Sequence, residues 1–151
     1  MATNPILDHT FLVVDDDKIV RKMIVRMLLN NGATEVRQAE NGAFAVKEIG
    51  DMERCDYVLL DKEMDGVGGV EFLRVLRGGA TGGYKETPVI MITAHTDEET
   101  VKAAKAHGVD HFIAKPVTVE KLKDRLKAVQ AHPRVPEWRK KREEKNKSEA
   151  V

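Results

Sequence analysis

Four short apolar runs in this chain each end in a polar residue able to take part in chemistry. Phe11-Leu12-Val13-Val14 leads into Asp15-Asp16, and Tyr57-Val58-Leu59-Leu60 into Asp61. Val89-Ile90-Met91-Ile92 leads into Thr93, and Phe112-Ile113-Ala114 into Lys115-Pro116. Short runs without apolar–polar alternation fit strands covered on both faces, as in a parallel sheet. The carboxyl ends of an open parallel sheet all point to one edge, where ligands bind. The runs therefore predict that three carboxylates, a hydroxyl and an ammonium meet at one place.

Helical patterns separate the runs. After Asp17, apolar residues at Ile19, Val20, Met23, Ile24, Met27 and Leu28 recur with a 3.6-residue period until Asn31-Gly32 stops it. Val36 to Ala39 reads as a weaker strand, and Ala43 to Ile49 as a short helix. Val70, Phe72, Leu73 and Leu76 mark a third helix ended by Gly78-Gly79, with Gly82-Gly83 as a loose connection onward. Thr96 or Asp97 is positioned to cap a fourth helix reaching about Ala106, and Thr118 a fifth with Val119, Leu122, Leu126 and Val129 inward. Five β-α units with right-handed crossovers follow, giving a parallel sheet with helices on both faces. Residues 1–10 read as an N-terminal extension, 11–131 as the domain and 132–151 as a charged tail.

Charge separates the tail from the domain. Overall, 25 basic residues balance 25 acidic ones, which argues against steering to nucleic acid or membrane. Residues 132–151 hold seven Lys/Arg against four Glu, so the tail is +3 and the remainder −3. The single cysteine, Cys55, rules out an internal disulfide and suits a reducing, cytoplasmic setting. No secretory signal is evident, and no apolar run approaches the ~20 residues of a membrane span.

The acids demand a partner. Two carboxylates about 4 Å apart repel by roughly 4 kcal/mol at an effective dielectric near 20. Gathering Asp15, Asp16 and Asp61 therefore calls for a cation, and an all-oxygen set suits Mg²⁺ or Mn²⁺. A fixed hard cation lets a carboxylate act as a nucleophile toward phosphorus. Taken singly, each motif has a plainer explanation: a helix cap for Asp15-Asp16-Asp17, a loop acid for Asp61, a turn for Lys115-Pro116. Their joint placement at four strand ends outweighs these.

With Val14-Asp15-Asp16, Leu60-Asp61-Lys62-Glu63-Met64, Ile92-Thr93-Ala94 and Lys115-Pro116 in this order and spacing, the chain resembles receiver domains of two-component response regulators. The resemblance runs from about Phe11 to Val129. It implies a flavodoxin-like (βα)5 fold with strand order 2-1-3-4-5. It makes Asp61 the phosphoacceptor, with Asp15, Asp16, Asp61 and the Glu63 backbone carbonyl around the metal. Thr93, Lys115 and the Ala94 amide would contact the phosphoryl group, and Phe112 would be a switching aromatic. The side chains of Glu63 and His95 would tune the lifetime of the phosphorylated form.

The resemblance also implies partners. A histidine kinase or histidine phosphotransfer protein would dock near Lys18, Ile19, Val20 and Lys22. A target protein would meet the surface formed by Asp97–His107, His111 and Thr118–Val129. The 20 residues after Ala131 are too few for a DNA-binding or catalytic output domain, so the expectation is a single-domain, chemotaxis-type regulator, or a relay passing phosphate onward, and not an enzyme beyond its own phosphorylation. Two features depart from the family pattern. Asp65 stands where receivers commonly carry proline, and Val67-Gly68-Gly69 replaces an apolar-Asp-Gly. Trp138 beside Arg139-Lys140-Lys141-Arg142 allows an anionic ligand for the tail or, more simply, packing on the last helix. The rivals are a haloacid-dehalogenase-type phosphatase, with its nucleophile at Asp15, a flavin-binding flavodoxin, and a non-phosphorylated pseudo-receiver, which would usually lack one of the acids or the lysine present here. Asp15-Asp16-Asp17 would repel a flavin phosphate.

Overall fold

The computed structural model describes residues 4–63, 68–79, 81–95 and 97–131. Strands β1 (Thr10–Val14), β2 (Glu35–Ala39), β3 (Tyr57–Asp61), β4 (Val89–Thr93) and β5 (His111–Ala114) form one parallel sheet in the order β2-β1-β3-β4-β5. Helices α1 (Lys18–Asn30), α2 (Gly42–Asp51), α3 (Gly69–Arg77), α4 (Glu98–Ala106) and α5 (Val119–Ala131) alternate with them. This is the flavodoxin-like arrangement that the resemblance to receiver domains implies.

Alternation along the buried strands builds two cores. Leu12, Val14, Val58, Leu60, Val89 and Met91 face Ala45, Ile49, Phe72, Leu73 and Leu76 of α2 and α3. Phe11, Val13, Tyr57, Leu59, Ile90, Ile92 and Ile113 face Ile24 and Leu28 of α1 and Leu122 and Leu126 of α5. With both faces covered, β1, β3 and β4 are buried at every position, whereas the edge strand β2 is only partly so. That difference is why β2 is the weakest strand to read in the sequence. Residues before β1 join the second core, with Ile6 fully buried.

Local signals set the helix ends. The Asp17 carboxylate accepts from the N–H groups of Ile19 (2.9 Å) and Val20 (3.1 Å), capping α1. Gly32, at φ +97°, turns the chain out of α1. Asn41 caps α2 through the N–H of Phe44 at 2.9 Å, and the Thr118 hydroxyl accepts from the N–H of Lys121 at 3.2 Å before α5. Of the two α4 caps considered, Thr96 lies outside the described residues, and the Asp97 carbonyl accepts from the N–H of Val101 at 3.1 Å.

Two expectations change. The apolar period of α1 does not all face the sheet: Ile24 and Leu28 are buried, but Ile19 is 81% and Met23 43% exposed. Five residues turn a helix by about 140°, so Ile19 and Ile24 cannot share a face. The Gly82-Gly83 connection is not loose either. It forms a short 3₁₀ turn, Gly82–Tyr84, and the Tyr84 hydroxyl donates to the Met52 carbonyl. Arg77 Nη1 then donates to the carbonyls of Lys85 (2.9 Å) and Thr87 (2.8 Å). Met64, Asp65 and Val67 of the divergent loop, and the tail with Trp138, lie outside the described residues.

Candidate functional site

Register gathers the site. The ladders pair Val14 with Leu60, Asp61 with Ile92 and Thr93 with Ala114. Asp15 and Asp61 thus stand level at the carboxyl edge, with Thr93 one step and Lys115 two steps beyond them. Asp61 and Thr93 are the last residues of β3 and β4, and Asp15 and Lys115 follow β1 and β5 directly. The ladder continues through them, with Asp15 N–H donating to the Ala39 carbonyl and Lys115 N–H to that of Thr93, both at 3.0 Å. A cleft of about 500 Å³ opens there, lined by Asp15, Asp16, Asp61, Glu63 and Lys115 on its polar side and by Val20, Met23 and Val117 on its apolar side.

Asp15, Asp61 and Thr93 are almost wholly buried, at 1, 2 and 0% exposure, while Asp16 is exposed. Lys115 Nζ lies 2.8 Å from Asp61 Oδ1 and 3.0 Å from Glu63 Oε2. The Thr93 hydroxyl donates to Glu63 Oε1 at 2.8 Å, and its oxygen accepts from the N–H of His95 at 2.9 Å. Asp15 Oδ1 accepts from the N–H of Asp17 at 2.9 Å, but no protein donor reaches Asp15 Oδ2.

These contacts set the protonation balance. Burial, reinforced by the Asp61 charge, outweighs the Asp17 N–H and Lys115 and pushes Asp15 up to about 6. Burial also raises Asp61, against the pull of Lys115. For Glu63 burial is outweighed by Lys115 and Thr93, which leave it below the usual carboxylate range. For Lys115 burial loses to Asp61 and Glu63, and the ammonium is held more firmly than usual. One ammonium therefore faces a surplus of carboxylates.

Oxygens of Asp15, Asp16 and Asp61 all lie within 4.8 Å of one another. The donorless Asp15 Oδ2, inside an all-oxygen cluster, fits a hard divalent cation, which would relieve both the repulsion and the missing partner.

Residues 11–127 match the family profile of the response regulator receiver domain. The chain belongs to this family. It is 41% identical over 136 residues to a protein-glutamate methylesterase/protein-glutamine glutaminase of Koribacter versatilis, across 83% of this chain and 34% of that protein. It thus spans about a third of that relative's length. It is 30% identical to the chemotaxis protein CheY of Pseudomonas aeruginosa, across 78% of this chain and 93% of that one. Among solved structures it resembles the CheX-CheY-BeF3-Mg complex of Borrelia burgdorferi, with TM-score 0.73 and 25% identity, across 84% of this chain and 98% of that one.

The receiver fold brings together every side chain the sequence nominates for the acid and phosphoryl-contact sets. Phe112 stands apart, half-buried on β5 against the α2–α3 core, and His95 meets Thr93 through its backbone. Other residues of this receiver domain escaped the sequence reading. Arg21 Nη1 donates to the Asp15 carbonyl at 2.7 Å. Lys121 Nζ donates to the carbonyls of Ala114 (3.1 Å) and Pro116 (3.0 Å), on either side of Lys115. Arg21 pins the backbone of Asp15 from α1 and Lys121 pins the residues flanking Lys115 from α5, and neither leaves a motif in the sequence. Among the described residues no helix is long and apolar enough to cross a membrane.

Proposed function

We propose that this receiver domain accepts a phosphoryl group on Asp61 in a Mg²⁺-dependent reaction and signals by changing a protein-binding surface. The observation that carries the reading is the buried Asp61 carboxylate, 2.8 Å from the Lys115 ammonium and within the acid cluster. Asp15, Asp16, Asp61 and the Glu63 carbonyl would hold the Mg²⁺. Bound there, the cation screens the carboxylates and polarises phosphoryl oxygens.

An Asp61 oxygen attacks phosphorus, the bond from phosphorus to the donor's nitrogen or oxygen breaks, and an acyl phosphate remains on Asp61. The Thr93 hydroxyl, the Ala94 N–H and Lys115 then hold its oxygens. As Thr93 moves toward the phosphoryl group, Phe112 turns into the vacated space, shifting an existing balance of two states. The surface of α4, β5 and α5 reads out the shift to a target protein. The exposure of Ile19 on α1, and of Met23 in the lining of the cleft, supports docking of a histidine kinase or phosphotransfer protein against α1. The beryllofluoride and magnesium in the Borrelia relative's complex support the same chemistry.

Incubation with Mg²⁺ and acetyl phosphate, followed by intact mass, tests this. The wild type gains one phosphate, while the Asp61→Asn variant and the chelated protein gain none. An undiminished adduct on Asp61→Asn overturns the assignment, and an adduct mapped to Asp15 favours the dehalogenase-like alternative.

A further inference from the structure

The Glu63 side chain contacts the same groups that the proposed phosphoryl site would use. Its Oε1 accepts the Thr93 hydroxyl at 2.8 Å, and its Oε2 lies 3.0 Å from Lys115 Nζ. The Ala94 backbone N–H is directed at the same carboxylate. Three contacts assigned above to the phosphoryl oxygens are thus already engaged by one anionic group. We propose that Glu63 is an internal competitor for the phosphoryl group, holding Thr93, Ala94 and Lys115 in the phosphate-free domain and yielding them when Asp61 is modified. This rests on the reading of Asp61 as the acceptor.

Donor counts decide which contacts compete. A hydroxyl has one proton and a backbone amide one N–H, so Thr93 and Ala94 cannot fully serve Glu63 and a phosphoryl oxygen together. An ammonium has three protons, and Lys115 reaches Asp61 and Glu63 at once. The exclusive competition therefore runs through Thr93 and Ala94, with Lys115 adding attraction to either anion. The Thr93 hydroxyl also has the His95 carbonyl within 3.2 Å, so its hydrogen bond has an alternative when Glu63 leaves. Glu63 can leave readily. Its side chain is 34% exposed, and rotation into solvent opens no buried cavity. A phosphoryl group carries more negative charge than the carboxylate and repels it outward.

Titration with beryllofluoride in Mg²⁺, followed by fluorine NMR, reads the competition without bond-making to phosphorus. Glu63→Ala should tighten binding about fivefold, the worth of a charge-assisted hydrogen bond at a partly exposed site. In a Thr93→Ala background, where the main exclusive contact is gone, the same change should gain less than twofold. Equal gains in both backgrounds would mean that only a negative charge had been removed, and the proposal falls. Unchanged or weaker binding by Glu63→Ala also overturns it, while leaving Asp61 as the acceptor. If neither the wild type nor any variant binds beryllofluoride, the acceptor reading itself fails.

Discussion

The two edges of the sheet treat buried charge in opposite ways. At the amino edge, Arg77 at the end of α3 meets Asp110 just before β5, Nη2 to Oδ2 at 3.1 Å, with side chains 11% and 7% exposed. Arg77 also donates to the carbonyls of Gly108, Lys85 and Thr87, and Asp110 Oδ2 accepts from the N–H of Val89 at 2.8 Å. The charges cancel there, and the donors find acceptors. At the carboxyl edge, Asp15, Asp16, Asp61 and Glu63 line a cleft in which Lys115 is the one cationic lining residue among the described residues, and Asp15 Oδ2 has no protein donor. Burial of charge is common to both edges, so it does not mark function. An uncancelled charge with a cleft in front of it is what sets the carboxyl edge apart.

Breaking the balanced edge has the largest effect. Arg77→Met takes the guanidinium away from Asp110 and from the carbonyls of Gly108, Lys85 and Thr87, and should cost about 3–5 kcal/mol of unfolding free energy, measured by urea denaturation. Phosphate uptake per folded molecule should persist, since the clamp lies at the opposite end of the strands. A loss below 1 kcal/mol would erase the contrast between the edges.

The unbalanced edge should respond with the opposite sign. Asp15 has a folded pKa of about 6 against 3.8 unfolded. The folded state therefore binds the extra proton between those values, and stability from this group falls as pH rises from about 4 through 6. In chelator at pH 7, Asp15→Asn should be more stable than the wild type by on the order of 2 kcal/mol, with the gap closing near pH 4. Thermal melts across that range check this. Adding Mg²⁺ should stabilise the wild type and reduce the variant's advantage. A variant less stable than the wild type at pH 7 would contradict the picture of an incomplete site.

The smallest effect belongs to His95. Its side chain is exposed, and its contacts to Thr93 come from the backbone. His95→Ala should change the decay rate of the acyl phosphate by about two- to fivefold, a difference of no more than about 1 kcal/mol in the barrier. Decay followed by loss of the mass adduct measures it, and an unchanged rate removes His95 from lifetime control.

Much of the site was legible because a parallel sheet turns sequence position into spatial position. Asp15, Asp61, Thr93 and Lys115 each terminate or follow an apolar run, and parallel strands put all such ends on one edge. The amino-edge clamp was not legible. Arg77 looks like an ordinary basic residue in the last turn of α3, and its partner is 33 residues away. Ile19 and Met23 fit the apolar period of α1 yet face outward, since periodicity locates a stripe but not which part of it the sheet covers.

The order of apolar runs and their terminal residues was enough to specify the strand edge and the acids on it, because parallel strands place all their carboxyl ends on one side, and the motifs at those ends carried the family resemblance. Only the folded structure decided that Glu63 holds Thr93 and Lys115, that Asp15 keeps a donorless oxygen, and that Arg77 cancels Asp110. Those outcomes depend on strand register, helix rotation and hydrogen-bond reach, which arise when distant segments pack and have no local imprint on the chain.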